Sequence, residues 1–172
     1  MIDELRIRRG RRSDAEALSL LVRDVLLEYG LPPDPKGTDA DVLDVERNYQ
    51  AIGGEFEVLV DASGDIMGCY GLYPLGNGSC ELRKMYFRPH IRGHGWGRSV
   101  LRRAIARARQ MGFREMRLET ASALKEAIAL YEAFGFEREP VAPDVKRCDA
   151  VYRLRLEDWR YSGRETRALH GA

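Results

Sequence analysis

Apolar positions along the chain switch between a period of two and a period near 3.6, and the switches divide it into elements. Leu5 and Ile7 alternate with charged neighbours and predict a short first strand. Ala17, Leu18, Leu21, Val22, Val25 and Leu26 then recur at helical intervals. Ser13, with Glu16 three residues later, reads as the capping box of that helix, and Gly30 as its stop. Leu31-Pro-Pro-Asp-Pro-Lys-Gly37 is too rich in proline for a helix and predicts a loop. Thr38 or Asp39 can cap a second helix running to about Ala51. Phe56, Val58 and Val60 alternate as a strand, Ser63-Gly64-Asp65 is a turn, and residues 66–73 return as the next strand. A turn at Gly76-Asn77-Gly78 makes strand 80–87 antiparallel to it.

Strand 80–87 ends at Pro89 and gives way to a loop containing Gly93, Gly95 and Gly97. Val100, Leu101, Ala104, Ile105, Ala108 and Met111 mark one face of the following helix, which Gly112 stops. Met116 and Leu118 alternate on a strand ending near Thr120. Because a helical crossover separates it from strand 80–87, the two are expected to run parallel. Leu124, Ala127, Ile128, Tyr131 and Phe134 form the inward face of the last core helix, and closing strands are expected near 136–139 and 149–156. The sum is an α/β protein built on a mixed sheet, mostly antiparallel with one parallel pair, and helices on both faces. Residues 1–159 read as one domain and the polar stretch 160–172 as a loose tail.

Composition narrows the classes of function. The 172 residues are 44% hydrophobic and 32% charged, with a net charge of +1. That balance gives no general attraction to nucleic acid or to a membrane surface. The N-terminus lacks an apolar signal core and no apolar run approaches spanning length, so a cytoplasmic protein is expected. The three cysteines have no metal-ligand spacing and read as free, partly buried thiols. The three histidines are too scattered for a metal site.

The glycine loop carries the most chemistry. Amide N–H groups in the first turn of a helix have no intrahelical acceptor, and the helix dipole adds positive potential there. Glycines let the backbone curl around an oxyanion, and Arg92 and Arg98 flank the loop with full charges. Residues 92–98 are therefore expected to hold a phosphorylated ligand. A Walker loop is excluded, because three residues separate Gly93 from Gly97 and Arg98 stands where lysine is needed. A dinucleotide fingerprint is excluded by the G-x-G-x-G spacing.

Arg92-x-x-Gly95-x-Gly97 resembles the acyl-CoA pyrophosphate loop of the GNAT superfamily of N-acetyltransferases. Downstream, Ala127, Leu130, Tyr131, Glu132, Gly135 and Phe136 resemble that superfamily's A-x-x-L-Y-E-x-x-G-F segment. The two motifs, joined by a helix and a strand, cover the region from Phe56 to Phe136. The resemblance implies a GNAT-like acyl-CoA N-acyltransferase fold, acetyl-CoA as cosubstrate, no metal, and a primary amine as acceptor. It implies that Arg92, Gly93, His94, Gly95, Trp96, Gly97 and Arg98 bind the diphosphate. It further implies that the main chain of Met85, Tyr86 and Phe87 receives the pantetheine and the acetyl carbonyl.

Two catalytic assignments follow. Tyr131 is the candidate acid for the departing thiolate, since a phenol near pKa 10 can hand a proton to a thiolate whose acid lies near 8.5. The alternative is a core tyrosine. Glu81 is the candidate base, placed eleven residues before Arg92 as in the histone-modifying branch of the superfamily; the alternative is a solvated strand-end charge. Arg83, on the same face of the strand, could bind an acceptor carboxylate or pair with Glu81. Leu124 stands where the superfamily often has an asparagine facing pantetheine, and Ser122 is a substitute. Arg98 and Arg102 could reach a ribose phosphate, while Arg103, Arg107 and Arg109 read as a solvated basic face. Cys69 and Cys80 lack an adjacent base and read as core. Two other functions remain open at this stage: an acyl-CoA-binding module acting as sensor or partner surface, and a nucleic-acid binder using the arginine helix. Association as a homodimer is also open.

Overall fold

The computed structural model describes residues 4–163 and 169–171. Its strands are β1 (Arg6–Arg9), β2 (Glu55–Val60), β3 (Ile66–Gly76), β4 (Ser79–Phe87), β5 (Glu115–Thr120), β6 (Glu137–Glu139), β7 (Ala150–Arg155) and β8 (His170–Gly171). The helices are α1 (Ala15–Glu28), α2 (Val45–Asn48), α3 (Trp96–Gln110) and α4 (Lys125–Ala133). The strands join in one sheet in the order β6-β7-β5-β4-β3-β2-β1-β8. The expected parallel pair is β4 with β5. A second, two-residue parallel pairing sets His170–Gly171 against Arg6 and Ile7 at the far edge.

The alternation of each strand divides its side chains between two cores. Leu59, Tyr70, Leu72, Leu82, Met116 and Leu118 meet the apolar faces of α3 and α4 on one side. Phe56, Val58, Val60 and Cys69 meet α1 and the segment after it on the other. Strand β2 is buried along its whole length because both faces are covered.

Several boundaries differ from expectation for local reasons. Asp14, not Ser13, organises the start of α1: its carboxylate accepts the Arg11 N–H at 2.8 Å and a two-pronged bond from Arg8 at 2.8 and 2.9 Å. The expected second helix breaks into a 3-10 segment (Thr38–Asp44), the single turn α2 and another 3-10 turn (Gln50–Ile52). Asp44 interrupts it by folding its side chain onto the Arg47 N–H at 3.0 Å. Within the stretch read as a tail, Tyr161 packs on Phe134 with ring centroids 5.1 Å apart, and Trp159, just before it, stacks on the same ring at 6.0 Å. Residues 164–168 and 172 of that stretch lie outside the described residues. Of the α3 arginines read as a solvated face, Arg109 is exposed but the other two are paired. Arg103 makes a forked pair with Glu57 at 2.6 and 2.8 Å, and Arg107 bonds Glu55.

Candidate active site

Strands β4 and β5 pair only at their beginnings. Ser79, Cys80 and Glu81 face Glu115, Met116 and Arg117, and no register continues beyond them. From Leu82 onward β4 stays with β3, while Leu118–Thr120 of β5 stay with β7. The sheet opens as a wedge, and a cavity of about 230 Å³ fills it. Backbone groups of β4 that would have met β5 face this space, so a ligand could satisfy them.

One residue helps set the wedge. Lys84 has φ of +53°, a backbone conformation costly for a residue with a Cβ. The β3–β4 register slips around Cys69–Gly71 at the same place. This extra residue turns Arg83 and Lys84 toward the same side of the sheet, and alternation resumes with Met85 and Phe87 on the α3/α4 side and Tyr86 on the α1 side. Burial of a triple ion contact holds the strain. The Lys84 ammonium lies 3.0 Å from Asp39 and 3.4 Å from Asp41, and donates to the Thr38 carbonyl at 3.0 Å.

At the mouth of the wedge the chain turns through Pro89–Ile91 into the glycine loop. Gly93 and Gly95 adopt φ of +76° and +86°, which favours glycine at both positions. Gly95 is the N-cap of α3, and Ser99 closes the first helical bond to its carbonyl at 3.1 Å. The amides between these points have no intrahelical acceptor. Gly93 and Gly97 border the cavity. Trp96 is buried beneath the loop in the α3 core.

The charged residues of the loop are placed differently from the glycines. The Arg92 guanidinium donates to the Phe87 carbonyl at 3.0 and 2.8 Å and to Glu28 at 2.6 and 3.0 Å. It straps the loop to β4 and to the end of α1. Arg98 points away from the cavity, toward the Tyr161 hydroxyl at 3.3 Å and the Phe134 ring. His94 is exposed, and its Nδ1 lies 2.8 Å from the Arg92 carbonyl.

On the α3/α4 side the cavity is apolar, bordered by Met85, Phe87, Ile91, Leu124, Ala127, Leu130 and Tyr131. Tyr131 is 7% exposed, and burial pushes its phenol above the ordinary value. Cys148 also borders the cavity, and burial first, then the nearby Glu119 charge, push its thiol up to about 11. Thr120, which the sequence did not single out, borders the same space. Its buried hydroxyl bonds to no described residue. Ser122 is not available beside Leu124, because its amide and hydroxyl are both bonded to Asp149.

The α1 side is charged and roofed. Glu81 is buried and accepts from Arg83 Nε at 2.7 Å; its Oε2 is 3.7 Å from Arg117. Glu119 accepts the N–H groups of Asp144 and Val145 at 2.9 Å each and pairs with Arg117 at 3.0 Å, which fastens the loop after β6 across the cavity. Arg147 of that loop makes a forked bond to Asp39 at 2.9 and 2.7 Å. Burial would raise the Asp39 carboxyl, but the bonds from Arg147 and the charge of Lys84 outweigh it and hold it below the usual carboxylate range. Lys84, Glu119 and Arg147 carried no sequence signal beyond their charge, and Asp39 read only as a candidate helix cap.

Among the described residues no helix is long and apolar enough to cross a membrane. No cluster of three His, Cys, Asp or Glu side chains among them stands where it could hold a metal ion.

Comparisons with known proteins agree with this geometry. The profile described as "Acetyltransferase (GNAT) family" matches residues 22–136. The chain is 43% identical over 136 residues to the uncharacterized N-acetyltransferase YjgM of Escherichia coli (strain K12), covering 76% of this chain and 81% of that one. A GNAT-family acetyltransferase structure from Staphylococcus aureus Mu50 superposes with a TM-score of 0.83 at 22% identity, covering 90% of this chain and 100% of that one. The structure of yncA, a putative acetyltransferase from Salmonella typhimurium with its cofactor acetyl-CoA, superposes with a TM-score of 0.70 at 22% identity, covering 93% and 98%.

Proposed function

Because the chain belongs to the acetyltransferase (GNAT) family, we propose that it moves the acetyl group of acetyl-CoA directly to a primary amine while both are bound. The observation that carries this reading is the wedge between β4 and β5, which opens onto the amides at the start of α3 with the Tyr131 phenol beside it.

In this reading the loop amides from Gly93 to Arg98 hold the diphosphate, and Arg92 acts as the strap that fixes their geometry. Main-chain groups of Met85, Tyr86 and Phe87 receive the pantetheine arm, the arm's apolar surroundings being Phe87, Leu124 and Leu130. A backbone N–H of the open stretch of β4 polarises the acetyl carbonyl as it becomes an oxyanion. The amine nitrogen forms the new C–N bond, the C–S bond breaks, and the Tyr131 phenol gives its proton to the leaving sulfur. Burial raises the Tyr131 phenol, and the same desolvation would raise a sulfur released into this apolar space. The amine's proton leaves through water toward Glu81, whose Oε2 is less engaged than either oxygen of Glu119.

Acetyl-CoA consumption measured against a panel of amines tests this, with Tyr131→Phe as the decisive variant. A fall in kcat of about a hundredfold with an unchanged KM for acetyl-CoA is expected. Full activity in Tyr131→Phe would take the tyrosine out of the mechanism, and absence of calorimetric heat on adding CoA would take away the reading itself.

A further inference from the structure

The Arg83 guanidinium is held on two sides and open on a third. Its Nε donates to Glu81 at 2.7 Å, and its plane lies over the Tyr73 ring, 3.8 Å from the centroid. Its two terminal nitrogens bond to no other described residue. The side chain is 30% exposed and Arg83 is one of the residues bordering the cavity, which leaves those groups within reach of a ligand there. A guanidinium fixed through Nε and by stacking presents its remaining N–H groups as a ready fork, the geometry that matches a carboxylate. Pairing with Glu81 and binding an acceptor carboxylate are therefore not alternatives: the first prepares the second.

The surroundings limit what can bring that carboxylate. Every other cation on this side of the cavity is paired: Arg117 with Glu119, and Lys84 and Arg147 with Asp39. The roof fastened by Glu119 closes over the acceptor side, which favours a small molecule over an extended chain. Glu81 lies next to the fork and offers the opposite sign, so the pair complements a molecule carrying both an ammonium and a carboxylate.

We propose that Arg83 is a specificity-determining residue that grips a carboxylate on the acceptor, and that the acceptor is a small amino acid-like primary amine. This rests on the acetyl-transfer reading above. The test compares acetylation of the common amino acids, β-alanine and γ-aminobutyrate with the carboxamide of each, in the wild type and in Arg83→Gln and Arg83→Lys. At least one acid is expected to exceed its amide at least tenfold in kcat/KM. Arg83→Gln is expected to bring that ratio to near one by raising KM for the acid, and Arg83→Lys to keep part of it, with KM for acetyl-CoA unchanged as the sign of an intact fold. Amides accepted as well as acids, or a preference that survives Arg83→Gln, would overturn the inference and leave acetyl transfer standing. Turnover of no amine by a protein that binds acetyl-CoA would remove the acetyl-transfer reading and this inference with it.

Discussion

Replacing Asp39 with asparagine keeps the shape of the side chain and removes one charge. Asp39 holds two cations at once, Arg147 through bonds of 2.7 and 2.9 Å and Lys84 at 3.0 Å. The three side chains are only 5–7% exposed, so the cations it leaves behind cannot recover water in place. Lys84 keeps Asp41 at 3.4 Å, while Arg147 has no second carboxylate among its bonds. Breaking a buried pair from one side costs about 3–5 kcal/mol, a large share of a total stability of about 5–15 kcal/mol. For a chain of this size that lowers Tm by about 6–20 °C. Urea unfolding measures it as a lower midpoint at unchanged slope. The variant carrying Asp39→Leu and Arg147→Met together should recover part of the loss, because the arginine is no longer stranded and Lys84 keeps Asp41. A loss below about 1 kcal/mol in Asp39→Asn, the range of an exposed pair, would refute the reasoning. So would a double variant no more stable than the single one. The pH dependence has a definite sign: the folded carboxyl lies below its unfolded value, so its contribution is full above about pH 4 and is lost as pH falls through the folded value.

Two other perturbations address the cavity directly. Gly95→Ala meets no atom within 4 Å, so its cost is conformational, about 1–2 kcal/mol for a left-handed backbone; calorimetry should show CoA binding weakened at least tenfold, and wild-type affinity would remove Gly95 from the anion site. By contrast Gly97→Ala, with ordinary backbone angles and a Cβ 3.5 Å from Leu130, should change stability by less than about 1 kcal/mol in the same unfolding assay. Cys148, with its thiol near 11, should react with iodoacetamide at pH 8.5 about tenfold more slowly than free cysteine, allowing for the greater nucleophilicity of a basic thiolate. Mass spectrometry of the labelled peptide reads the rate, and labelling at the free-thiol rate would contradict the burial of that thiol.

The frame of the molecule was legible because its signals are local. The alternation of Phe56, Val58 and Val60, the helical intervals from Val100 to Ala108, and the glycines at 93 and 95 each report on residues close in sequence. Their elements appear within a residue or two of expectation. The first helix also ends where Gly30 indicates, with the Leu31 N–H closing on Leu26 at 2.9 Å. What could not be read depends on distant partners. Arg147 meets Asp39 across 108 residues, and Arg103 meets Glu57 across 46, so the same arginines look solvated when taken in their own helix or loop. The bulge at Lys84 is hidden for another reason: a left-handed position is announced by glycine or asparagine, and here a lysine occupies it under the pull of Asp39 and Asp41.

That bulge also explains how one cavity can have two chemistries. Regular alternation along β4 would send Arg83 and Lys84 to opposite faces and place a charge among Leu130, Tyr131 and the α3 core. The inserted residue sends both cations to the α1 side and returns Met85 and Phe87 to the apolar side. The wedge is thus dry where a thioester and its arm would lie and charged where an amine would arrive. The strain at Lys84 and the ion contacts that hold it belong to the same device: remove the contacts, and the backbone loses its reason to stay left-handed. Loss of Asp39 is therefore expected to reach the acceptor side through β4 as well as through the roof, which makes KM for the amine, rather than for acetyl-CoA, the kinetic constant most exposed to that mutation.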